Sequence, residues 1–332
     1  MPQASRSHAL DRRLHTAAFF GTLAIMSTIT PLAISESDVE GWDLRTPLSL
    51  RLARLWAKHG VRGKGFVPRA IGRSVARSMR ALIRTEFGAV MAVYPGSLDT
   101  YCLITAQGGA YDRSVLDTCQ KLLRRGETAF DIGANVGLVS LELCARFGGS
   151  VRVMSFEPQP HLAKHLAVSA KLNEFDIRVF TCLVGDHEGE QTLFVPAHSI
   201  HASVISRSRR AKRMVRPVAR LDDLVFDGMI DPPAMIKIDV EGAEMAVLNG
   251  ARDLLHEHQP SVVFEADENR VRFRNSRRDL FVELRRHAPY RMFAVVDTSE
   301  FVPIDETDDP DTLPHRNYAA VAPRHIDRVK ST

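Results

Sequence analysis

Five acidic residues stand where short apolar runs end, and this placement predicts a ligand site. Each follows a run with the composition of a strand, and they are Asp131, Glu157, Asp186, Asp239 and Glu265. Because the carboxyl ends of parallel strands meet at one edge of a sheet, these side chains are expected to lie close together. Carboxylates at such an edge can accept hydrogen bonds from a ligand or take a proton from it. Strand ends are often polar, so a single acidic residue is weak evidence and only the five together indicate a ligand site.

The turn after the first of these residues has the spacing of a nucleotide-binding turn. The sequence Asp131-Ile-Gly-Ala-Asn-Val-Gly137 follows an apolar run and precedes a helix-like stripe that starts at Leu138. We expect Gly133 to allow a sharp turn and Gly137 to allow a close approach of helix and strand. Asn135 suits the position just before a helix, where its side chain can accept a free N–H. The open N–H groups of such a helix start attract an anionic ligand group.

The pattern favours S-adenosylmethionine over two other nucleotide classes. The dinucleotide fingerprint has its second glycine where this chain has Asn135, and no Gly-Lys-Ser/Thr of a P-loop follows. S-adenosylmethionine carries an ammonium, a sulfonium and a ribose diol. We therefore expect Asp131 to suit the cationic end and Glu157 to accept hydrogen bonds from both ribose hydroxyls. Asp186 is expected near the adenine amino group, and a plain turn residue is the equal alternative.

Strand-like and helix-like segments alternate from Thr128 to about Ala288, which predicts an α/β fold with an open, mostly parallel sheet and helices on both faces. We expect the catalytic domain at residues 86–325 and an N-terminal extension at residues 1–85, helical or partly disordered. The apolar run at residues 14–34 is interrupted by polar residues, so it is a weak signal or anchor. The chain is predicted to be cytoplasmic, with membrane association through this run as the alternative.

Four motifs in order resemble the FkbM family of S-adenosylmethionine-dependent methyltransferases. They are the turn at residues 131–137, Phe156-Glu-Pro158, Leu221-Asp-Asp-Leu224 and Lys237-Ile-Asp-Val-Glu-Gly-Ala-Glu244. The resemblance extends from about Tyr94 to Val321. It implies the Rossmann-like class I methyltransferase fold, with a seven-stranded sheet and a last antiparallel hairpin. It also implies methyl transfer to an oxygen, often a hydroxyl of a sugar or a secondary metabolite.

The catalytic candidates are Lys237, Asp239, Glu241 and Glu265. A carboxylate among them would take the proton of the acceptor hydroxyl as the new bond forms. Lys237 and Asp239 are two residues apart and therefore share one face of their strand. This pair either shapes the acceptor site or forms a structural ion pair, and the sequence favours neither. We predict no metal; Mg²⁺ on Asp239 and Glu265 is the weaker alternative, because no ligand cluster requires it.

The segment Arg207–Arg216 is rich in arginine, and a solvated loop is the favoured interpretation. The functional alternative is a lid over an acidic acceptor, such as a phosphorylated or carboxylated glycan. A second group of arginines could join this lid: Arg270, Arg272, Arg274, Arg277 and Arg278. We predict a small-molecule or glycan acceptor. DNA is excluded as a substrate, because Asp239-Val-Glu-Gly242 stands where DNA amino-methyltransferases carry an Asp/Asn-Pro-Pro-aromatic loop. A methyltransferase for RNA or protein, or an inactive cofactor-binding module, is the weaker hypothesis.

Composition narrows the class of protein without identifying it. The chain has 332 residues, 45% of them hydrophobic and 25% charged, which is ordinary for a folded domain. A net charge of +4 does not by itself indicate nucleic acid. The four cysteines have no disulfide-rich spacing and are expected to be buried free thiols. The oligomeric state is not predicted.

Overall fold

The computed structural model describes residues 29–42, 81–93, 113–195, 211–266, 275–296 and 300–330. Most of the predicted N-terminal extension at residues 1–85 therefore lies outside the described residues, as does most of the apolar run at residues 14–34. Cys102 and Arg207 to Arg210 are also outside them. Within the described ranges, no helix has the length and apolar character that crossing a bilayer requires. The three described cysteines are buried free thiols, as expected.

Thirteen strands and nine α-helices occur in the described residues. The strands are β1 Ala81–Arg84, β2 Val90–Val93, β3 Thr128–Ile132, β4 Arg152–Phe156, β5 Ile177–Phe180, β6 Leu183–Val184, β7 Gly189–Val195, β8 Lys212–Ala219, β9 Met235–Ile238, β10 Ser261–Glu265, β11 Arg291–Val295, β12 Phe301–Pro303 and β13 Asn317–Val321. The helices are α1 Glu36–Val39, α2 Arg113–Leu122, α3 Leu138–Arg146, α4 Pro160–Leu172, α5 Leu221–Phe226, α6 Glu244–Asn249, α7 Arg252–Glu257, α8 Arg277–His287 and α9 Ile326–Lys330.

An eight-stranded sheet forms the centre of the domain, in the order β12-β11-β13-β10-β9-β3-β4-β5. Strands β10, β9, β3, β4 and β5 are parallel to one another, and β13 is antiparallel to both β10 and β11. This is the predicted open, mostly parallel sheet with its antiparallel hairpin. The short strand β12 adds an eighth member, antiparallel to β11 at the edge. The seven expected strands are therefore all present.

Helices cover both faces of the sheet, and alternate residues of each strand explain why. Phe130 and Ile132 face one apolar cluster, while Ala129 of the same strand faces the other. The first cluster contains side chains from α5, α6, α7 and α8. The second contains side chains from α2 and α3, with α9 packed against it. Because both faces are buried, the central strands are apolar throughout apart from the polar residues near their carboxyl ends.

A crevice for a ligand is expected between β3 and β9. The chain leaves β3 for β4 on one side and returns later to β9 on the other, so strand order reverses at this point. Ligands of open α/β sheets bind outside the carboxyl ends of the strands at such a switch point. In register, Asp131 of β3 lies opposite Lys237 of β9. Two of the predicted site residues therefore meet at the position that topology marks.

A second, three-stranded sheet of β6, β8 and β7 lies beyond β5 in the chain. Residues 177–184 are divided between β5 of the large sheet and β6 of the small one. Residues Lys212–Ala219 overlap the arginine-rich segment Arg207–Arg216 and form a strand that pairs with β7 over seven positions. The solvated-loop interpretation was therefore wrong for residues 212–216. Pairing with β7 satisfies the backbone groups of this basic segment and makes it a strand.

The predicted boundary at residues 85 and 86 falls inside a hairpin. Ala81–Arg84 pairs antiparallel with Val90–Val93. Leu32 donates its backbone N–H to the carbonyl of Val179 at 2.7 Å, so residues near Leu32 also contact the large sheet. Part of the predicted extension therefore packs on the domain.

Candidate cofactor and active site

The turn after β3 is anchored on the neighbouring strand β4. The backbone N–H groups of Gly133 and Ala134 both donate to the carbonyl of Phe156, at 2.9 and 3.0 Å. Gly133 has φ of +79°, and a Cβ there would lie 1.9 Å from the carbonyl oxygen of Asp239. Only glycine fits, because the turn passes directly over the end of β9. The expected sharp turn is present.

Gly137 and Asn135 complete the turn. Gly137 has φ of +84°, and a Cβ there would lie 2.1 Å from Cδ1 of Leu166 on α4. The expected close approach is thus to a helix on the neighbouring crossover. Asn135 adopts φ of 53°, and its Oδ1 accepts the N–H of Val136 at 2.9 Å. Gly137 takes the position directly before α3 that was expected for Asn135, so Asn135 stabilises the turn itself.

Glu157 presents a buried carboxylate to this turn. Its Oε2 accepts the backbone N–H of Asn135 at 2.8 Å, and its Oε1 accepts that of Gln159 at 2.9 Å. The residue is only 4% exposed. Burial raises the pKa of Glu157 to about 7, although the two backbone N–H groups act in the opposite direction. The Gln159 side chain also donates to this carboxylate, which has about four acceptor sites in all and can accept a further hydrogen bond.

Asp131 and Lys237 form a buried ion pair between β3 and β9. Lys237 Nζ lies 3.2 Å from Asp131 Oδ1 and 3.5 Å from Asp239 Oδ2, and it donates to the carbonyl of Gly133 at 3.3 Å. Ser140 on α3 donates its hydroxyl to Asp131 Oδ2 at 2.6 Å. Asp131 is 1% exposed, so its carboxylate lies beneath the turn and contacts protein groups. The lysine joins both strand ends and the turn.

The loop after β9 has unusual backbone conformations. Glu241 has φ of 56° and Gly242 has φ of 107°. A positive φ is uncommon for a residue other than glycine, and such residues concentrate at functional sites. Glu244, in the first turn of α6, is only 3% exposed, and its Oε1 accepts the N–H of Gly242 at 3.0 Å. Glu244 thereby holds the loop that carries Asp239 and Glu241.

The two remaining candidates lie in different places. Glu265 ends β10, beside β9, with a 27% exposed side chain whose Oε1 is 3.8 Å from Nε of Arg316. It therefore stands at the same sheet edge as Asp239, whose side chain is 30% exposed. Asp186 follows β6 of the small sheet instead, with a 48% exposed side chain 2.9 Å from Nδ1 of His187. Four of the five acidic residues thus share the large sheet's carboxyl edge.

Sequence reasoning missed the hydroxyl groups that support Asp131. Ser140 lies on the buried face of α3, and its Oγ is 2.9 Å from the Oγ of Ser155 on β4. A polar residue inside the apolar stripe of α3 was the available signal. As for metals, the described ranges contain no group of three or more His, Cys, Asp or Glu residues that could hold an ion.

The part of the chain that contains the turn and the strand ends matches a known protein family. Residues 131–292 match the family model described as the methyltransferase FkbM domain. This segment, just under half of the chain, is similar to an FkbM methyltransferase domain. This confirms the family resemblance, and S-adenosylmethionine is the cofactor expected of such a domain. The matched range begins at Asp131 and includes Glu157, Lys237 and Glu265.

The sequence identity between this chain and individual known proteins is low. The chain is 27% identical to 31-O-demethyl-FK506 methyltransferase FkbM of Streptomyces tacrolimicus over 161 residues, covering 40% of this chain and 62% of that protein. It is 21% identical to the solved methyltransferase FkbM of Methylobacillus flagellatus KT, covering 68% of this chain and 54% of that one, with a TM-score of 0.40. It is 13% identical to Aeropyrum pernix fibrillarin, which was solved with S-adenosylmethionine. That match covers 75% of this chain and 85% of fibrillarin, with a TM-score of 0.37. The chain thus spans less than two thirds of the two FkbM relatives.

The contact between Gly133 and Asp239 can be tested with a matched glycine. Gly126 has φ of +83°, close to the +79° of Gly133, but a Cβ at Gly126 would meet nothing within 4 Å. Gly126→Ala should therefore lower the free energy of unfolding only by the cost of the left-handed backbone, roughly 1–2 kcal/mol. Gly133→Ala adds a backbone clash and should cost about 1–3 kcal/mol more. Urea unfolding of both variants measures the difference; equal losses would contradict the geometry.

The protonation of Glu157 should appear in the pH dependence of stability. Because its pKa rises from 4.5 to about 7 on folding, its stabilising contribution is complete below pH 4.5 and is lost as the pH rises through about 7. Glu157→Gln removes this titration. Relative to that variant, the wild type should lose up to about 2 kcal/mol of unfolding free energy between pH 5 and pH 8.

Urea unfolding of both proteins at the two pH values provides the measurement. Glu157→Gln also lowers the free energy of unfolding by itself, because the NH2 group of glutamine would face a backbone N–H that needs an acceptor. That loss does not change with pH. Only the difference between the two pH values is therefore diagnostic. If the wild type and Glu157→Gln change stability in parallel from pH 5 to pH 8, the carboxyl has an ordinary pKa.

Proposed function

We propose that the chain is an S-adenosylmethionine-dependent methyltransferase that transfers the methyl group to a hydroxyl oxygen of a small-molecule acceptor. The observation that supports this most is the buried carboxylate of Glu157, held by the N–H groups of Asn135 and Gln159 beside a turn at the topological switch point. A buried carboxylate with unused acceptor capacity suits a diol, whose hydroxyls donate hydrogen bonds. The residues present therefore fit the ribose of the cofactor.

The donor side of the site uses the turn and the strand that follows it. When bound, the cofactor supplies a methyl group on a sulfonium. Glu157 would accept the ribose hydroxyls, and the backbone of Gly133 to Gly137 would lie along the cofactor. Asp186, at the end of β6, is proposed for the adenine side. Asp131 is enclosed by Ser140 and Lys237, so we assign it the role of fixing the turn and the lysine.

The acceptor side uses the carboxyl ends of β9 and β10. Asp239, Glu241 and Glu265 are the candidates for the base that takes the acceptor hydroxyl proton. Asp239 and Glu265 end adjacent strands and are partly exposed, which supports access to an acceptor. Lys237 holds Asp239 in place and keeps one oxygen of that carboxylate oriented toward the protein. Holding an acceptor oxygen in line with the methyl group is the main task of such a site.

The hydroxyl acceptor is proposed from the relative in Streptomyces tacrolimicus, whose name describes a 31-O-demethyl-FK506 methyltransferase. That protein is named for methyl transfer to 31-O-demethyl-FK506. For this chain we propose a hydroxyl of a sugar, a glycan or a secondary metabolite. The carboxylates near the end of β9 support an acceptor with a proton to remove, as a hydroxyl has.

An acidic acceptor is proposed from the basic strand β8. Lys212 and Arg213 at its start are exposed, and Arg216 is partly exposed. The arginine-rich segment that precedes this strand in the sequence would extend the positive charge. A phosphorylated or carboxylated acceptor would meet complementary charge on this side of the site.

Binding and transfer experiments test the main proposal. Calorimetry should show that Glu157→Ala weakens binding of S-adenosylhomocysteine about a hundredfold or more, because it removes two hydrogen bonds to a charged acceptor. Radiolabelled methyl from S-adenosylmethionine should enter a product in fractionated cell extract. Replacing the true base among Asp239→Asn, Glu241→Gln and Glu265→Gln should lower kcat about 10²–10⁴-fold with little change in cofactor affinity.

Glu257→Gln is the control for this series. Glu257 is an exposed carboxylate at the end of α7, shortly before β10 begins, and therefore near the opposite edge of the sheet. It should behave as wild type in both assays. Equal binding by wild type and Glu157→Ala, or binding by neither, would reject the proposed cofactor site. Label that enters only RNA or protein would reject the small-molecule acceptor.

A triple substitution tests the acidic acceptor. Arg209→Ala, Arg210→Ala and Arg213→Ala together should raise the KM of an anionic acceptor about tenfold and reduce the salt dependence of KM, because exposed charge attraction is screened by salt. The cofactor affinity should stay unchanged. Steady-state kinetics at low and high salt with the purified acceptor measures both quantities. A KM and salt dependence equal to those of the wild type would reject this part of the proposal.

A further inference from the structure

The basic strand β8 contacts the segment that carries Glu157. Arg216, in the middle of β8, donates its Nε–H to the carbonyl of Pro158 at 2.8 Å. The same guanidinium donates from Nη1 to the carbonyl of Val215 at 3.1 Å, which limits its motion. Pro158 directly follows Glu157 in the chain. Arg216 therefore reaches from the small sheet to the residue next to the cofactor carboxylate.

The positive charge of Lys212, on the same face of β8, also acts on this segment. Residues 212, 214 and 216 point to one side of the strand, because side chains alternate. Burial, followed by the positive charge of Lys212, lowers the pKa of His161 on the first turn of α4. Arg216 contacts Pro158 directly, and the charge of Lys212 acts on His161.

The carbonyl that Arg216 contacts belongs to a peptide unit with a specific task. The C=O of Pro158 and the N–H of Gln159 are the two ends of one planar peptide group. That N–H donates to Glu157 Oε1 at 2.9 Å. A planar unit fixed at its oxygen is also fixed at its N–H, and hydrogen bonds in series polarise one another. The guanidinium of Arg216 is therefore connected to the carboxylate of Glu157 through hydrogen bonds to a single peptide group.

We infer that Arg216 is a positioning residue that orients the Glu157 carboxylate for the ribose hydroxyls through the Pro158–Gln159 peptide. The inference rests on the proposed function, since it assumes that Glu157 binds the cofactor. It adds a link between the two sides of the site, because Arg216 belongs to the strand proposed to face the acceptor. A ligand that moves or orders β8 would then change cofactor affinity, and the reverse effect follows by linkage.

The experiment is a double-mutant cycle read by calorimetry with S-adenosylhomocysteine. Arg216→Ala should raise the Kd about threefold to tenfold. This is the effect expected from the loss of one hydrogen bond, here the bond that orients the Pro158–Gln159 peptide. In a Glu157→Gln background the same substitution should have no further effect, because the carboxylate it orients is gone. Arg216→Lys retains a donor and a positive charge, so its Kd should lie between those of wild type and Arg216→Ala.

Arg178→Ala controls for the loss of one positive charge. Arg178 is an exposed arginine on β5, and its replacement should leave the Kd unchanged. If Arg216→Ala does not fold, Arg216→Lys serves in the same cycle, and its effect should vanish in the Glu157→Gln background. If the wild type binds S-adenosylhomocysteine and Arg216→Ala changes the Kd no more than Arg178→Ala does, this inference alone is overturned. Equal effects in both Glu157 backgrounds would also overturn it, whereas absent wild-type binding would reject the proposed function.

Discussion

The ion pair between Lys237 and Asp131 is the contact on which the site depends. It joins β3 and β9 where the strand order reverses, and the same ammonium also reaches the carbonyl of Gly133 and the carboxylate of Asp239. The two charged residues are 6% and 1% exposed, so neither can exchange its partner for water. Loss of one partner in such a pair costs roughly 3–5 kcal/mol, because a buried charge is left uncompensated. The position of the turn is therefore tied to the position of the Asp239 carboxylate, which is proposed for the acceptor side.

Around this pair, backbone groups determine the geometry. The turn is held by the carbonyl of Phe156, and Glu157, the next residue, returns a contact by accepting the N–H of Asn135. Gly133 passes so close to the carbonyl of Asp239 that no side chain fits between them. These contacts bring the ends of β3, β4 and β9 into one rigid arrangement. A methyltransferase needs such rigidity, since its rate depends on alignment of donor and acceptor.

The small sheet gives the domain an element that the large sheet does not supply. Its strand β8 carries positive charge toward the start of α4 and contacts the Pro158 carbonyl. Glu244 has a comparable role on the other side, since it holds the Asp239–Gly242 loop from within the protein. In both places a charged residue that resembles surface in the sequence supports a backbone segment of the site. Charge in a sequence therefore predicts exposure poorly near this site.

The sequence alone was sufficient for the fold class, the family and the placement of the turn. Period-two and helical spacing identify strands and helices because one face of each element must be buried, and the glycines at positions 133 and 137 mark where no side chain fits. The sequence also placed Asp131, Glu157, Asp239 and Glu265 at strand ends. It left open whether Lys237 and Asp239 shape the acceptor site or form a structural ion pair. Only the tertiary structure decided that Asp131 faces Lys237 and Ser140, that β8 is a strand, and that Asp186 belongs to the small sheet. These facts depend on pairing between residues far apart in the chain, and local periodicity carries no information about which distant partner a side chain meets.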